Sequence, residues 1–169
     1  MKKKDMIVTF WVILASHFLI SVLLALAWGT SHPLYEIYKP GRVLPYVLFS
    51  CLYALPAYYV AGYLYILAKD ILTNMDKVVG RMCLIFLAVL SGIFAVCFIL
   101  FYFGISRRSW MYYVIMNYPS GVIYNTISLN VDGSNPLFVL SVLPCPLGFW
   151  LGALRRYRHE VFSYERSKK

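Results

Sequence analysis

The chain has 169 residues, of which 61% are hydrophobic and 14% charged, and its formal net charge is +9. This is more apolar surface than a water-soluble domain of that length can bury, which excludes a soluble fold. The charged residues cluster at intervals and leave uncharged runs long enough to cross about 30 Å of hydrocarbon. The composition therefore predicts an all-α integral membrane protein.

Basic residues outnumber acidic residues by sixteen to seven, and their positions indicate which surface they contact. Lys2, Lys3 and Lys4 precede the first apolar run, and a basic tail over residues 155–169 follows the last. Basic residues that flank apolar runs are typical of cytoplasmic anchoring, whereas nucleic-acid-binding proteins carry them along one face of a domain. We therefore expect the lipid bilayer as a partner and no nucleic acid.

The uncharged runs predict four transmembrane helices within a single membrane domain that covers residues 1–169. The predicted helices cover residues 6–29, 43–68, 82–104 and 136–154. Each run is long enough to span the hydrocarbon with some tilt. At the start of the fourth run, Asn135 can cap the helix and Pro136 can occupy its first turn, where a missing N–H costs little.

The segment over residues 105–135 has two interpretations. Residues 110–129 are apolar and aromatic enough to form a fifth crossing. Two features oppose it: residues 117–121 read Asn-Tyr-Pro-Ser-Gly, which favours a turn, and a fifth crossing would place the basic tail outside. We therefore predict an interfacial or re-entrant outer segment between the third and fourth helices.

The distribution of Lys and Arg predicts the orientation. With four crossings, the N-terminus, the middle loop and the tail carry twelve basic residues, while the two other loops carry four. Cytoplasmic loops are enriched in Lys and Arg. The sequence thus predicts a multi-pass protein of the plasma (inner) membrane with both termini in the cytoplasm.

His17 is a candidate intramembrane polar site, because it is the one ionisable side chain near the middle of a predicted helix. Ionisable residues are costly in hydrocarbon and often mark a transport or proton pathway. Proton-coupled transport usually needs a partner, and no Asp, Glu, Lys or Arg lies deep in the predicted helices. A neutral imidazole hydrogen-bonded to Ser16, Ser21 or a neighbouring helix explains His17 equally well.

Gly148 and Gly152 form a G-x-x-x-G pattern in the fourth predicted helix. Residues four apart share one face of a helix, and small residues there allow a second helix to approach closely. The pattern predicts that this face packs against another helix of the same chain. The alternative is that it mediates self-association or docking to another membrane protein.

Prolines interrupt two predicted helices. Pro56 lies in the middle of the second, and Pro144 and Pro146 lie within the fourth. Proline removes a backbone donor and clashes with the preceding turn, which predicts a kink in both helices. Broken helices can form substrate sites in transporters, although proline is also common in membrane helices in general.

The outer loops carry polar side chains among many aromatic ones. The candidate ligand or partner contacts are Glu36, Asn117, Asn125 and Asp132. Aromatic residues beside amide and carboxylate groups suit a recognition surface, but they also suit a belt at the lipid headgroups. Both interpretations place these residues on the outer face.

The cysteines offer no cofactor or metal site. Cys51, Cys83, Cys97 and Cys145 each fall within an apolar run, and no two form a C-x-x-C pair. This favours free thiols that pack as small hydrophobic side chains, with no cofactor and no metal. No pair of acids or Ser-His pair at a recognisable spacing predicts an enzyme.

These patterns predict a small, non-catalytic membrane protein that acts as an accessory, immunity or regulatory component of a larger membrane system. The alternative is a small transporter or channel-like protein with a site near the kinks of the second and fourth helices. A third hypothesis is an intramembrane enzyme that modifies lipid, although its catalytic residues are not evident in the sequence.

Overall fold

The computed structural model describes residues 3–28, 43–67, 75–117 and 136–167, and within these ranges the chain is helical without strands. The helices are α1 (Lys3–Trp28), α2 (Val43–Leu67), α3 (Met75–Tyr102), α4 (Arg107–Met116) and α5 (Pro144–Ser167), and a 3-10 helix (Pro136–Val142) precedes α5. Four helical segments of the described chain are long and apolar enough to cross a membrane. The four predicted runs are therefore confirmed as helices of sufficient length and hydropathy.

Two helices extend beyond the uncharged runs from which they were predicted. The third helix begins at Met75 rather than at residue 82, and its charged first turns include Asp76, whose negative charge favours a helix N-terminus. The fourth helix does not end at residue 154, because α5 continues through most of the basic tail to Ser167. In both cases the helix extends past the uncharged run, since charge ends the hydrocarbon contact but not the helical backbone.

The fourth segment also begins differently from the prediction. Residues 136–142 form a 3-10 helix, and the α-helix starts only at Pro144. Pro144 and Pro146 therefore lie in the first turn of α5, where backbone N–H groups have no partner within the helix. The prolines were expected to kink the fourth helix; in the structure they follow the junction between the 3-10 helix and α5. Pro56 lies inside α2, which is helical on both sides of it.

The closest packing in the bundle joins α2 and α5, which run parallel. Gly148 faces Leu55 and Tyr58, and Gly152 faces Tyr59, one turn further along each helix. A Cβ at Gly148 would lie 2.8 Å from the Leu55 carbonyl oxygen, and one at Gly152 would overlap the Tyr59 carbonyl oxygen. The two backbones are thus in direct contact at the G-x-x-x-G face.

Helix α1 runs antiparallel to α2, because Thr9 pairs with Tyr65 and His17 pairs with Tyr58. Helix α3 runs antiparallel to α5. Near the start of α3, Gly80 faces Trp150 of α5. Further along α3, Phe94 packs on Tyr113 of α4, and Asn117 joins Tyr113 to Ser141 of the 3-10 helix. The end of α3 and the start of the fourth segment therefore lie at the same end of the bundle.

The chain reverses direction between α3 and α4. Gly104 adopts a φ of +69°, a conformation that favours glycine, and the N–H groups of Ile105 and Ser106 both donate to the Leu100 carbonyl oxygen at 2.9 and 3.0 Å. Ser106 then caps α4 by accepting a hydrogen bond from Ser109 N at 3.3 Å. The Tyr113 ring packs on Phe94 at 5.4 Å. Helix α4 thus folds back along α3.

The glycine contact predicts a large effect of Gly152→Val on stability. Because its Cβ would overlap the Tyr59 carbonyl oxygen, we expect α2 and α5 to separate, at a cost of about 2 kcal/mol or more. Thermal unfolding of the detergent-purified protein measures this effect. Gly92→Val is the matched control, since a Cβ at Gly92 in α3 meets nothing within 4 Å. Equal melting temperatures for the two variants would contradict the packing described.

Candidate functional site

His17 and Tyr58 form a buried polar pair at the centre of the bundle. His17 is 4% exposed, and its Nδ1 lies 3.1 Å from the Tyr58 hydroxyl oxygen. The hydroxyl of Ser21, one turn further along α1, lies 3.5 Å from the same oxygen. The His17 ring also stacks on Tyr58 and meets the edge of Phe86 at 5.5 Å. Helices α1, α2 and α3 therefore converge on this imidazole.

The remaining helices complete the walls of this site. Gly148 and Cys145 of α5 lie beside Tyr58, with a Cβ at Gly148 only 2.8 Å from the Tyr58 Cβ. The backbone carbonyl of Met116, at the end of α4, faces the imidazole. All five α-helices thus contribute to the site, and the absence of a side chain at Gly148 provides the space for Tyr58.

One ring nitrogen of His17 has its hydrogen bond and the other does not. Nε2 is buried and, by distance and angle, has no hydrogen-bond partner among the described residues, although the Met116 backbone lies near the imidazole ring. A neutral imidazole has one donor and one acceptor nitrogen. If Nδ1 donates to Tyr58, Nε2 can accept a hydrogen bond from a further polar group; if Nδ1 accepts, Nε2 can donate one. The pair can therefore orient a proton or a small polar molecule.

A second polar contact joins α1 and α2 nearer the start of α1. The Thr9 hydroxyl lies 2.8 Å from the Tyr65 hydroxyl, and Thr9 also donates to the Asp5 carbonyl oxygen at 2.7 Å. Tyr65 packs against Phe149 of α5. This contact fixes the register of the two helices, since an unpaired hydroxyl is costly in an apolar interior.

Asn117 forms a third polar contact, at the end of α4. Its Nδ2 donates to the Tyr113 hydroxyl at 2.8 Å and to the Ser141 carbonyl oxygen at 3.3 Å, and the residue is 1% exposed. Ser141 in turn donates to the Phe138 carbonyl oxygen at 2.6 Å. The Asn117 amide thus binds the 3-10 helix to α4, and the predicted contact of Asn117 with a ligand or partner at the outer face stays a prediction.

The other predicted contacts, Glu36, Asn125 and Asp132, lie outside the described residues. Their proximity to one another and to Asn117 therefore stays a prediction. His17 is found at the centre of the bundle, while Pro56 is exposed and Pro144 is buried near the junction of the 3-10 helix with α5. His17 is connected to α5 through Tyr58, which lies beside Gly148.

Sequence reasoning missed Tyr58, the partner of His17. A usable signal was present: a tyrosine in the middle of an apolar helix carries a hydroxyl that must find a partner inside the protein. Thr9 and Tyr65 carry the same signal. The residue that each hydroxyl meets depends on helix register, which a single sequence does not specify.

The four cysteines are free thiols. Cys51 donates to the Leu140 carbonyl oxygen at 3.4 Å, and Cys145 lies close to Cys83 and Tyr58. Within the described ranges, no group of three His, Cys, Asp or Glu side chains is placed to hold a metal ion. The observed cysteine contacts are those of small side chains in helix packing.

A double-mutant cycle tests the central pair. Tyr58→Phe leaves both ring nitrogens of His17 without a partner among the described residues, so we expect a loss of about 1–3 kcal/mol of stability. His17→Leu combined with Tyr58→Phe removes both polar groups and should be less destabilised than Tyr58→Phe alone. Tyr59→Phe is the control, because it also removes one tyrosine hydroxyl, from the residue next to Tyr58. Additive effects in detergent unfolding would show that the two side chains are not coupled.

Comparison of the chain with protein-family models, curated proteins and solved structures finds no match in any of the three. A functional assignment must therefore start from the central site and the packing around it.

Proposed function

We propose that this chain is a multi-pass plasma-membrane protein that acts without catalysis, as an accessory, immunity or regulatory component of a larger membrane system. The observation that carries the proposal is the closed centre of the bundle. Helices α2 and α5 meet backbone to backbone, and Thr9 and His17 of α1 pair with Tyr65 and Tyr58 of α2 inside the bundle. Such an interior suits a scaffold.

The helix directions support the proposed orientation, with both termini in the cytoplasm. Asp5 near the start of α1, Tyr63 near the end of α2 and Arg156 in α5 belong to the same end of the bundle. Arg156 donates to the Tyr63 hydroxyl at 3.1 Å, lies over its ring and forms an ion pair with Glu160. Of the basic residues in the described part of the chain, most belong to this end, as they should at a cytoplasmic end.

The path of α4 supports a re-entrant outer segment. Its Tyr113 packs on Phe94, which lies eight residues, or about 12 Å, before the end of α3. The C-terminal Asn117 is bonded to Ser141 inside the bundle. A short helix can enter the membrane only where its ends are satisfied by protein, and Asn117 provides such contacts. We therefore assign α4 to the outer half of the membrane.

We assign partner recognition to the outer loops, through Glu36, Asn125 and Asp132. Charged and amide groups at the outer interface can bind polar groups of a second membrane protein without being buried in hydrocarbon. Gly148 and Gly152 are covered by α2 within the same chain, so a partner or a second copy must use another surface.

The test is cross-linking in native membranes followed by affinity purification of the tagged full-length chain. We expect a defined partner to be recovered with wild type and with Glu160→Gln, and lost with the triple variant Glu36→Gln, Asn125→Ala and Asp132→Asn. Recovery of the same partner with the triple variant would reject the outer-loop assignment. Retention of membrane abundance shows that the variant folds.

A second candidate is a small transporter or channel-like protein, favoured by two observations: the buried His17 Nε2 has no hydrogen-bond partner among the described residues, and the fourth segment changes from a 3-10 helix to an α-helix. A change from one helix type to another within a membrane segment can form part of a substrate site. Uptake that depends on the chain in proteoliposomes and is lost with His17→Phe would favour this function over the accessory role.

The orientation gives a direct prediction. A reporter that is active only outside the cytoplasm should be inactive when fused at Lys169 and active when fused after Ser134, because four crossings return the chain to the cytoplasm. A cytoplasm-dependent reporter should give the opposite pattern at the same positions. Activity of the external reporter at Lys169 would establish an odd number of crossings and overturn the topology.

A further inference from the structure

An apolar groove lies between α3 and α5 on the outside of the bundle. It has a volume of about 380 Å³. Gly80, Leu84 and Leu87 line it from α3, Leu147 and Trp150 line it from α5, and Leu143 lines it from the junction just before α5. The eight residues from Gly80 to Leu87 span about 10 Å along the helix. The groove is therefore a slot of two helical turns that runs parallel to the proposed membrane normal.

Gly80 and Trp150 form the end of the groove nearest the start of α3. A Cβ at Gly80 would lie 3.4 Å from the indole Nε1 of Trp150. The indole ring therefore occupies space that a larger side chain at position 80 would fill. Trp150 is 37% exposed. An indole with one face on apolar residues and its N–H near a helix end is typical of headgroup depth.

Basic residues surround this end of the groove. Lys77 and Arg81 are exposed on α3, three residues before Gly80 and Leu84, and thus on the same side of the helix. Arg158 is exposed on α5, two turns beyond Trp150. We name Lys77, Arg81 and Arg158 the cationic rim. Asp76 in the first turn of α3 supplies one opposing charge, which leaves this end positive.

We propose that the groove binds one acyl chain of an anionic phospholipid, whose phosphate contacts the cationic rim and the Trp150 N–H. The apolar walls match a hydrocarbon chain, and three cations at one end match a phosphate in the same leaflet. A zwitterionic lipid presents its own cation to the rim and should bind more weakly. The site uses the membrane placement proposed above but requires no particular orientation of the termini.

The experiment measures quenching of Trp150 by lipids with brominated acyl chains, in detergent micelles of the purified full-length protein. Brominated phosphatidylglycerol is compared with brominated phosphatidylcholine of the same chains, and the Trp150 signal is the difference between wild type and Trp150→Phe. We expect phosphatidylglycerol to reach half-quenching at a mole fraction about fivefold lower, corresponding to about 1 kcal/mol for one basic residue. Equal quenching by the two lipids would overturn the proposal.

A matched pair of variants locates the site. Gly80→Phe fills the groove and should abolish preferential quenching, whereas Gly92→Phe adds the same ring to an open part of α3 and should retain it. Lys77→Gln with Arg81→Gln should reduce the preference and leave quenching by phosphatidylcholine unchanged. Preferential quenching that survives Gly80→Phe would overturn the proposal. So would a stable dimer in which neither lipid quenches Trp150, since a second copy would then cover the groove. No partner protein is present, so these results do not depend on the accessory role.

Discussion

The backbone contact between α2 and α5 determines the arrangement of the other helices. In a membrane, lipid is as apolar as the helix surface, so helices associate through close packing and hydrogen bonds rather than through the hydrophobic effect. Gly62, Gly148 and Gly152 allow this close packing, and none of them has room for a Cβ. More than half of the apolar window of the fourth segment is buried, against 22% for α1 and 17% for α3. Helix α5 is therefore the centre of the bundle.

The polar contacts attach α1 to this pair of helices. Tyr58 lies beside Gly148 and directs its hydroxyl to His17, and Tyr65 directs its hydroxyl to Thr9. Because an apolar interior provides no alternative partner for these groups, each bond disfavours rotation of α1 about its axis or sliding along α2. Most of the remaining surface of α1 is apolar and exposed, as expected for contact with lipid. Packing thus positions α5, while hydrogen bonding positions α1.

The sequence allowed the long apolar helices to be predicted, because charged residues mark where each uncharged run ends. It also indicated that a helix would approach Gly148 and Gly152, since small residues four apart share a face. It did not identify α2 as that helix, because any of the other runs was chemically acceptable. Pairing and register are properties of the assembled bundle rather than of one segment.

The candidate site was predicted only in part, for the same reason. His17 was recognisable from its isolation in an apolar run, but its partner Tyr58 lies on another helix. Asn117 was recognisable as a polar residue in an aromatic, apolar segment, but the direction of its amide depends on how α4 folds back on α3. The 3-10 helix was not anticipated, because Asn135 and Pro136 form an acceptable start for an ordinary α-helix.

The parallel pairing of α2 and α5 has a consequence for biosynthesis. Tyr63 and Arg156, which join these helices, are 93 residues apart in the chain. At a translation rate of roughly 5–20 residues per second, α2 leaves the ribosome on the order of 5–20 s before its main packing partner does. During that interval the face of α2 that carries Gly62 and Tyr59 lacks the helix that covers it in the folded chain. Ribosomes that stop early would release a nascent chain with this face uncovered, a form that membrane quality control could recognise.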